Sequence, residues 1–163
     1  MSKDDPVILY LDNTELYGSL KKAITQSLRG EAESVSSKFL DHIKLVQEGS
    51  NVVVLTSELA EFESIRNLLT SFPDLSFEKA YSSVVRLRGK YNLPSIDLRK
   101  FKTEKLDLGF FRETGLDYKD GLHYSIAKEY DAYIVTGDKN FRKHLEKIYP
   151  GRVLSRGEVF RLF

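Results

Sequence analysis

Residues 7–12 of the chain are VILYLD, five apolar residues followed by an aspartate. Continuous apolar runs rich in strand formers are typical of strands that are buried on both faces of a parallel sheet. A second run, NVVVL, occupies residues 51–55, and a third, AYIV, occupies residues 132–135. The three runs therefore predict three buried strands.

Amphipathic segments lie between these strands, and they predict helices because their apolar residues recur at helical spacing. Ser57 is placed to cap one helix that Phe72 ends, and Gly49 ends another. An edge strand is expected at residues 152–154, and a short terminal helix is expected around Val159. Further predicted helices span residues 13–28, 75–91, 117–130 and 140–148, and the helix that Gly49 ends spans residues 34–48.

The alternation of strands and helices predicts an α/β fold with three α/β/α layers and a central, mainly parallel sheet. The length of 163 residues suits a single domain, which we expect to span residues 1–163. Residues 92–103 are less periodic, and Pro94 makes a loop or a short strand the expectation there.

Composition excludes several classes of function. The chain contains no Cys, which excludes disulfides, thiolate zinc sites and cysteine nucleophiles. It also lacks the HExxH, GxSxG and GxxxxGK patterns of zinc proteases, serine hydrolases and P-loop proteins. Any metal ion must therefore be bound mainly by oxygen atoms.

Hydropathy and charge predict where the protein works. No apolar run is long enough to cross a bilayer, and residues 1–6, MSKDDP, lack the apolar stretch of a secretory signal. We therefore expect a cytoplasmic protein with no membrane partner. The net charge is +1, but residues 86–105 contain seven Lys or Arg and only two acids. This segment contacts phosphates or is simply a solvated surface.

Three aspartates stand at positions that a parallel sheet brings together. Asp12 and Asp138 each follow a predicted strand, and the carboxyl ends of parallel strands face one crevice. Asp120 lies in the first turn of the predicted helix 117–130, at the margin of its apolar stripe. That stripe consists of Leu122, Ile126, Ala127 and Tyr130.

A group of carboxylates at one site favours a bound cation, because their mutual repulsion is otherwise unfavourable. Mg²⁺ and Mn²⁺ prefer carboxylate oxygens, lower the pKa of a bound water and stabilise charge on a phosphate. These residues therefore predict hydrolysis of phosphodiester bonds.

The segments LDNT, YKDGLHYSIAKEY and DAYIVTGDKNF resemble the three acidic motifs of the PIN-domain family, which includes the VapC ribonucleases. The resemblance implies a metal-dependent endoribonuclease whose metal ligands are Asp12, Asp120, Asp138 and a glutamate of the helix after Ser57. Glu63 is the preferred glutamate, and Glu58 and Glu61 are the alternatives. The resemblance further implies that Thr136 orients an acid or a water, and that Asn13 is a polar partner of Asp12.

The same resemblance implies Mg²⁺ or Mn²⁺ as the cofactor and RNA as the substrate. A VapC-like toxin would be a homodimer with an antitoxin protein over its acidic cleft, whereas a stand-alone RNA-processing nuclease fits equally well. Nothing in the residues themselves distinguishes RNA from DNA.

Several observations support other interpretations. Asp117, Asp120 and Asp138 are also suitable as helix caps or first-turn acids, and His123 as a packing residue. Asn13 precedes Thr14 here, whereas threonine usually comes first in the family, and Asn140 stands where many members have an aspartate. A non-catalytic PIN-like module that binds RNA or a protein is therefore the alternative function. A phosphatase with Asp12 as nucleophile lacks the second aspartate, since Thr14 stands in its place.

Overall fold

The computed structural model describes residues 5–31, 37–100 and 115–163. Within these ranges the chain forms five strands, seven α-helices and one 3₁₀ turn at Leu98–Lys100. The strands are β1 Val7–Leu11, β2 Val52–Ser57, β3 Ser95–Ile96, β4 Tyr133–Val135 and β5 Val153–Leu154. The helices are α1 Asn13–Leu28, α2 Lys38–Gly49, α3 Glu58–Ser71, α4 Phe77–Tyr91, α5 Tyr118–Glu129, α6 Lys139–Ile148 and α7 Arg156–Leu162.

The five strands form one sheet in the order β3-β2-β1-β4-β5, and every pair is parallel. The chain proceeds outward from β1 through β2 to β3, and then crosses to the other side of β1 to form β4 and β5. A sheet of this kind has its switch point between β1 and β4, and ligands bind at the carboxyl ends of the strands there. Asp12 and Thr136 are the residues that directly follow these two strands.

The sheet has a hydrophobic core on each face, because successive side chains of a strand point to opposite faces. Leu9 and Leu11 pack in one core with α1, α2, α3 and α4, whereas Tyr10 packs in the other with α5 and α6. The predicted three-layer α/β/α fold is therefore confirmed. The continuous apolar run of β1 reflects burial on both faces.

Each of the seven described helices begins after a Ser or Asp whose side chain accepts a hydrogen bond from a backbone N–H of the first turn. These caps replace the hydrogen bonds that the first turn of a helix lacks. The prediction of Ser57 as a cap is confirmed. The capping residues are Asp12, Ser37, Ser57, Ser76, Asp117, Asp138 and Ser155.

The buried stripe predicted for α5 was partly wrong. Ile126 and Ala127 are buried, but Tyr130 is exposed, and the side chains of His123 and Tyr124 are buried in its place. The helix ends at Glu129, so Tyr130 follows the last turn and faces solvent. The predicted residues 34–36 of α2 and the basic residues 101–105 lie outside the described ranges. In the parts of the chain that the structure describes, no helix is long and apolar enough to span a membrane.

Candidate acidic active site

A cleft of about 260 Å³ opens at the carboxyl ends of β1 and β4. The residues Asp12, Asp120 and Asp138, which the sequence predicted to converge, all line it, and so does Glu63 of α3. The three aspartates come from three different segments of the chain, and the parallel sheet is what brings them together. Further lining residues are Asn13, Arg66, Asn67, Asp117, Lys119, His123 and Phe141.

Asp12 is the most buried acid of the cleft, with 2% of its surface exposed. Its Oδ1 accepts hydrogen bonds from the Thr14 backbone N–H at 2.9 Å and from the Thr14 hydroxyl at 2.6 Å. Its Oδ2 accepts one from the Thr136 hydroxyl at 2.5 Å. Burial raises the pKa of Asp12, and the hydrogen bonds from Thr136 and Thr14 oppose that rise. These three bonds fix the orientation of the carboxylate.

Asp120 lies half-buried in the first turn of α5. Burial raises its pKa to about 6, and the negative charge of Asp117 adds to the rise. Asp138 and Glu63 raise it further, whereas His123 lowers it. Among the described residues that line the cleft, five are carboxylates and only Arg66 and Lys119 carry a permanent positive charge, which is the condition that favours a bound cation.

Asp117 and Asp138 each use one oxygen as a helix cap. The Oδ1 of Asp138 accepts from the N–H groups of Asn140 and Phe141 at 2.8 and 3.0 Å. The Oδ1 of Asp117 accepts in the same way from Lys119 and Asp120 at 2.9 Å. In both residues Oδ2 has no hydrogen bond to the described part of the chain. Capping and cation binding are thus compatible in one carboxylate.

Glu63 is held by a chain of buried hydrogen bonds. Its Oε2 lies 2.8 Å from His123 Nε2, and His123 Nδ1 lies 2.6 Å from the Tyr10 hydroxyl. The Tyr10 hydroxyl also lies 2.8 Å from Ser57 Oγ, whose residue caps α3. This chain connects the core strand β1 to the cleft. His123 is therefore both a packing residue and part of the cleft wall.

The other two candidate glutamates point away from this cleft. Glu58 accepts a hydrogen bond from the Leu98 backbone N–H at 3.0 Å, and Glu61 forms an ion pair with Arg88 at 3.2 Å. Both line a different cavity beside β3. Of the three glutamates, the structure brings only Glu63 to the aspartates.

The cleft also contains cationic groups. Lys119 Nζ lies 3.8 Å from Glu63 Oε1, and its side chain is 44% exposed. Arg66 lines the same cleft one turn after Glu63. Both side chains are placed to contact an anionic group that enters from solvent.

The carboxylate oxygens that line the cleft are the donors that a hard divalent cation prefers. The positions of the carboxylates fit a bound cation less well than their chemistry does. Among the residues that the structure describes, no three His, Asp or Glu side chains already stand close enough to form a metal site. Binding through three of these residues would thus require their carboxylates to move closer together.

No family model matches this chain. A comparison with curated proteins likewise finds no significantly similar sequence. The PIN-domain resemblance therefore depends on the motifs quoted above, and the function must be argued from the site itself.

Arg66, Asn67 and Lys119 line the cleft and were not predicted from the sequence, and three residues around the cleft were missed as well. In the sequence, Thr14 was noted only because it stands where a phosphatase has its second aspartate. In the structure its hydroxyl donates to Asp12 and accepts a hydrogen bond from the Gly137 N–H at 2.9 Å. Tyr10 was treated as a strand residue, although a hydroxyl inside an apolar strand must find a buried partner. Glu15, which is buried against Arg156, was not considered. Its position three residues after Asp12, on the apolar side of α1, was the available signal.

Proposed function

We propose that the protein is a metal-dependent endoribonuclease that hydrolyses RNA phosphodiester bonds in the acidic cleft. The observation that supports it most is the presence of Asp12, Asp120, Asp138 and Glu63 around one cleft at the switch point of the sheet. Each of these residues alone has an ordinary structural explanation. The presence of four acids from separate segments in one cleft has no such explanation.

The proposed metal is Mg²⁺ or Mn²⁺, and the residues that would hold it are Asp12, Asp120 and Asp138, with Glu63. Such an ion supplies an activated water and neutralises charge on the phosphate. Thr136 and Thr14 keep Asp12 in a fixed orientation, and His123 does the same for Glu63. Lys119 and Arg66 supply positive charge for the phosphate that enters.

RNA cleavage by single variants tests this function. Asp12→Asn and Asp138→Asn should each lower the cleavage rate by about 10²-fold or more, because each removes a negative charge while an amide keeps the shape. Asp74→Asn is the matched control, since Asp74 is exposed and does not line the cleft. Cleavage is measured with Mn²⁺ or Mg²⁺ on an RNA and on a DNA of the same sequence. Equal cleavage by the two cleft variants and the wild type would refute the proposal.

A non-catalytic PIN-like module is the second candidate. It is favoured by the lack of a preformed set of three metal-binding side chains in the described ranges, and by Asn140 beside Asp138. This candidate predicts that the wild type binds RNA or a protein but cleaves no RNA with either ion. The cleavage assay thus separates the two functions.

The proposal has a cellular part. The enzyme would work in the cytoplasm, either as a stand-alone RNA-processing nuclease or as the toxin of a toxin–antitoxin pair. The toxin form adds a homodimer and an antitoxin that covers the acidic cleft. Light scattering of the purified protein tests the dimer, and loss of cell growth on expression tests the toxin.

A further inference from the structure

A second cavity, which we call the basic cavity, lies directly beside the acidic cleft and has a volume of about 470 Å³. Its wall contains three cationic side chains, Lys139, Arg142 and Arg156. The remaining lining residues are small or hydroxylated, and they are Thr14, Thr136, Gly137, Ser155 and Gly157. None of the described residues that line it is acidic.

The two cavities share a wall. Thr14 and Thr136 line the basic cavity, and their hydroxyls both donate to Asp12, which lines the acidic cleft. Gly137 lines the basic cavity, and the next residue, Asp138, lines the acidic cleft. The two cavities are therefore adjacent, which is the arrangement that a strand with repeated phosphates needs in order to occupy both.

Two of the cations are held in place by carboxylates behind them. Arg156 Nε donates to Glu15 Oε2 at 2.5 Å, and the Glu15 side chain is completely buried. The Arg142 guanidinium lies 3.4 Å from Glu158. Arg156 Nη2 also donates to the Thr14 carbonyl at 3.4 Å. A guanidinium has five N–H donors, so these contacts leave others available to a ligand. The side chains of Arg156 and Arg142 are 49% and 32% exposed, which leaves them accessible to a ligand.

The balance of charge in the basic cavity is positive. Glu15 and Glu158 offset two of the three cations, while Lys139 is exposed and has no partner in the described part of the chain. Gly137 keeps the wall thin, because a Cβ atom there would lie 3.3 Å from the Thr14 hydroxyl. The guanidinium and ammonium donors around this space match the acceptor oxygens of a phosphate group.

We propose that the basic cavity binds a phosphate of the nucleic acid strand, next to the phosphodiester that lies in the acidic cleft. The substrate-positioning part of this inference rests on the proposed function. A polyanion is repelled by the carboxylates of the cleft, and the net charge of the whole chain is only +1. A local group of cations beside the cleft offsets that repulsion, and it selects a ligand with regularly repeated phosphates.

Binding of a fluorescein-labelled oligouridylate, followed by fluorescence anisotropy in EDTA, tests the proposal without cleavage. The double variant Lys139→Gln/Arg142→Gln removes two cations from the basic cavity. Lys143→Gln/Lys147→Gln is the matched control, because it removes two exposed lysines of the same helix that do not line the cavity. Circular dichroism verifies that both variants are folded.

The cavity variant should raise Kd about tenfold, and the control should change it by less than about twofold. The plot of log K against log salt should also become less steep by about 0.7 for each lost phosphate contact, and only in the cavity variant. Equal weakening in both variants, no weakening in the cavity variant, or no binding by the wild type would each overturn the proposal.

A parallel cleavage assay with Mn²⁺ separates this inference from the proposed function. If the wild type binds the oligouridylate through the basic cavity but does not cleave it, the phosphate site is retained and the nuclease function is rejected. If the wild type cleaves it and the cavity variant binds it as well as the control does, the nuclease function is retained and the phosphate site is rejected.

Discussion

At the scale of single residues, Glu15 shows how a carboxylate behaves when it is buried beside an arginine. Its Oε2 accepts from Arg156, whereas its Oε1 is buried and has no hydrogen bond to the residues that the structure describes. Burial raises the pKa of Glu15 from 4.5 to about 7, although Arg156 lowers it. The folded protein therefore binds a proton at Glu15 at a pH where the unfolded chain has lost it.

This residue predicts a pH dependence of stability. Because the folded pKa is above the unfolded one, the contribution of Glu15 is fully present below pH 4.5 and is lost as the pH rises through about 7. A rise of the pKa from 4.5 to about 7 corresponds to a loss of about 3 kcal/mol in the free energy of unfolding, and Glu15→Gln removes this loss. We therefore expect the free energy of unfolding to fall less between pH 5 and pH 8 in Glu15→Gln than in the wild type, as measured by urea denaturation.

The control for this experiment is Glu146→Gln, which changes an exposed glutamate in the same way. Its pH dependence should match that of the wild type. Asp12 and Asp120 also have raised pKa values, so the wild-type loss includes their share. If Glu15→Gln loses as much stability as the wild type over this range, burial of a charged Glu15 is not unfavourable.

At the scale of elements, three of the aspartates that line the cleft also cap helices. Asp12 caps α1, Asp117 caps α5 and Asp138 caps α6. The helices therefore begin at the edge of the sheet where the acids are needed. One aspartate can cap a helix and also act in the cleft, so its role as a cap is no evidence against a role in catalysis.

Substitutions at Asp138 separate the two roles. Asn caps a helix about as well as Asp, whereas Ala does not, so Asp138→Ala should cost about 1 kcal/mol of stability and Asp138→Asn much less. Cleavage should fall strongly in both variants if the charge is needed. Stability is measured by urea denaturation and activity by RNA cleavage. Full activity in Asp138→Asn would mean that Asp138 acts only as a cap.

At the scale of the whole molecule, the functional surface is divided by charge. An acidic cleft and a basic cavity meet at the wall formed by Thr14, Thr136 and Gly137. Both open at the carboxyl edge of the sheet, where β1 and β4 diverge to their connecting helices. The chain as a whole is nearly neutral, so this surface depends on how the fold distributes charge and not on an overall excess.

Metal binding should appear as a change in stability of the whole molecule. A ligand that binds only the folded state stabilises it, by about 2.7 kcal/mol at a concentration of 100 times Kd. Addition of Mn²⁺ should thus raise the melting temperature of the wild type by roughly 5–10 °C, and EDTA should reverse the rise. Differential scanning fluorimetry measures this effect without any substrate.

The variant Asp12→Asn/Asp120→Asn should show little or no rise with Mn²⁺, whatever its own melting temperature. Asp74→Asn/Glu146→Gln carries the same change in charge at exposed positions outside the cleft, and it should respond like the wild type. A wild type that does not respond to Mn²⁺ would contradict the proposed metal site.

The fold was largely predictable from the sequence, because burial on both faces requires the continuous apolar runs of β1 and β4. The order of the strands was not, since no local pattern specifies which strands pair. The convergence of Asp12, Asp120 and Asp138 on one cleft followed from their positions after strands and at a helix start. The resemblance favoured Glu63 over Glu58 and Glu61, and the structure places Glu63 in the cleft and the other two in a different cavity.

The sequence by itself determined the layered α/β fold, the helix caps and the aspartates at the carboxyl edge, since each of these depends on local pattern and the polarity of neighbouring residues. Only the tertiary structure decided the contacts between residues that are distant in the chain. Those contacts are the chain from Tyr10 through His123 to Glu63, and the burial of Glu15 against Arg156. They depend on how helices pack across the sheet, and the shape of that packing is not encoded in any single stretch of the chain.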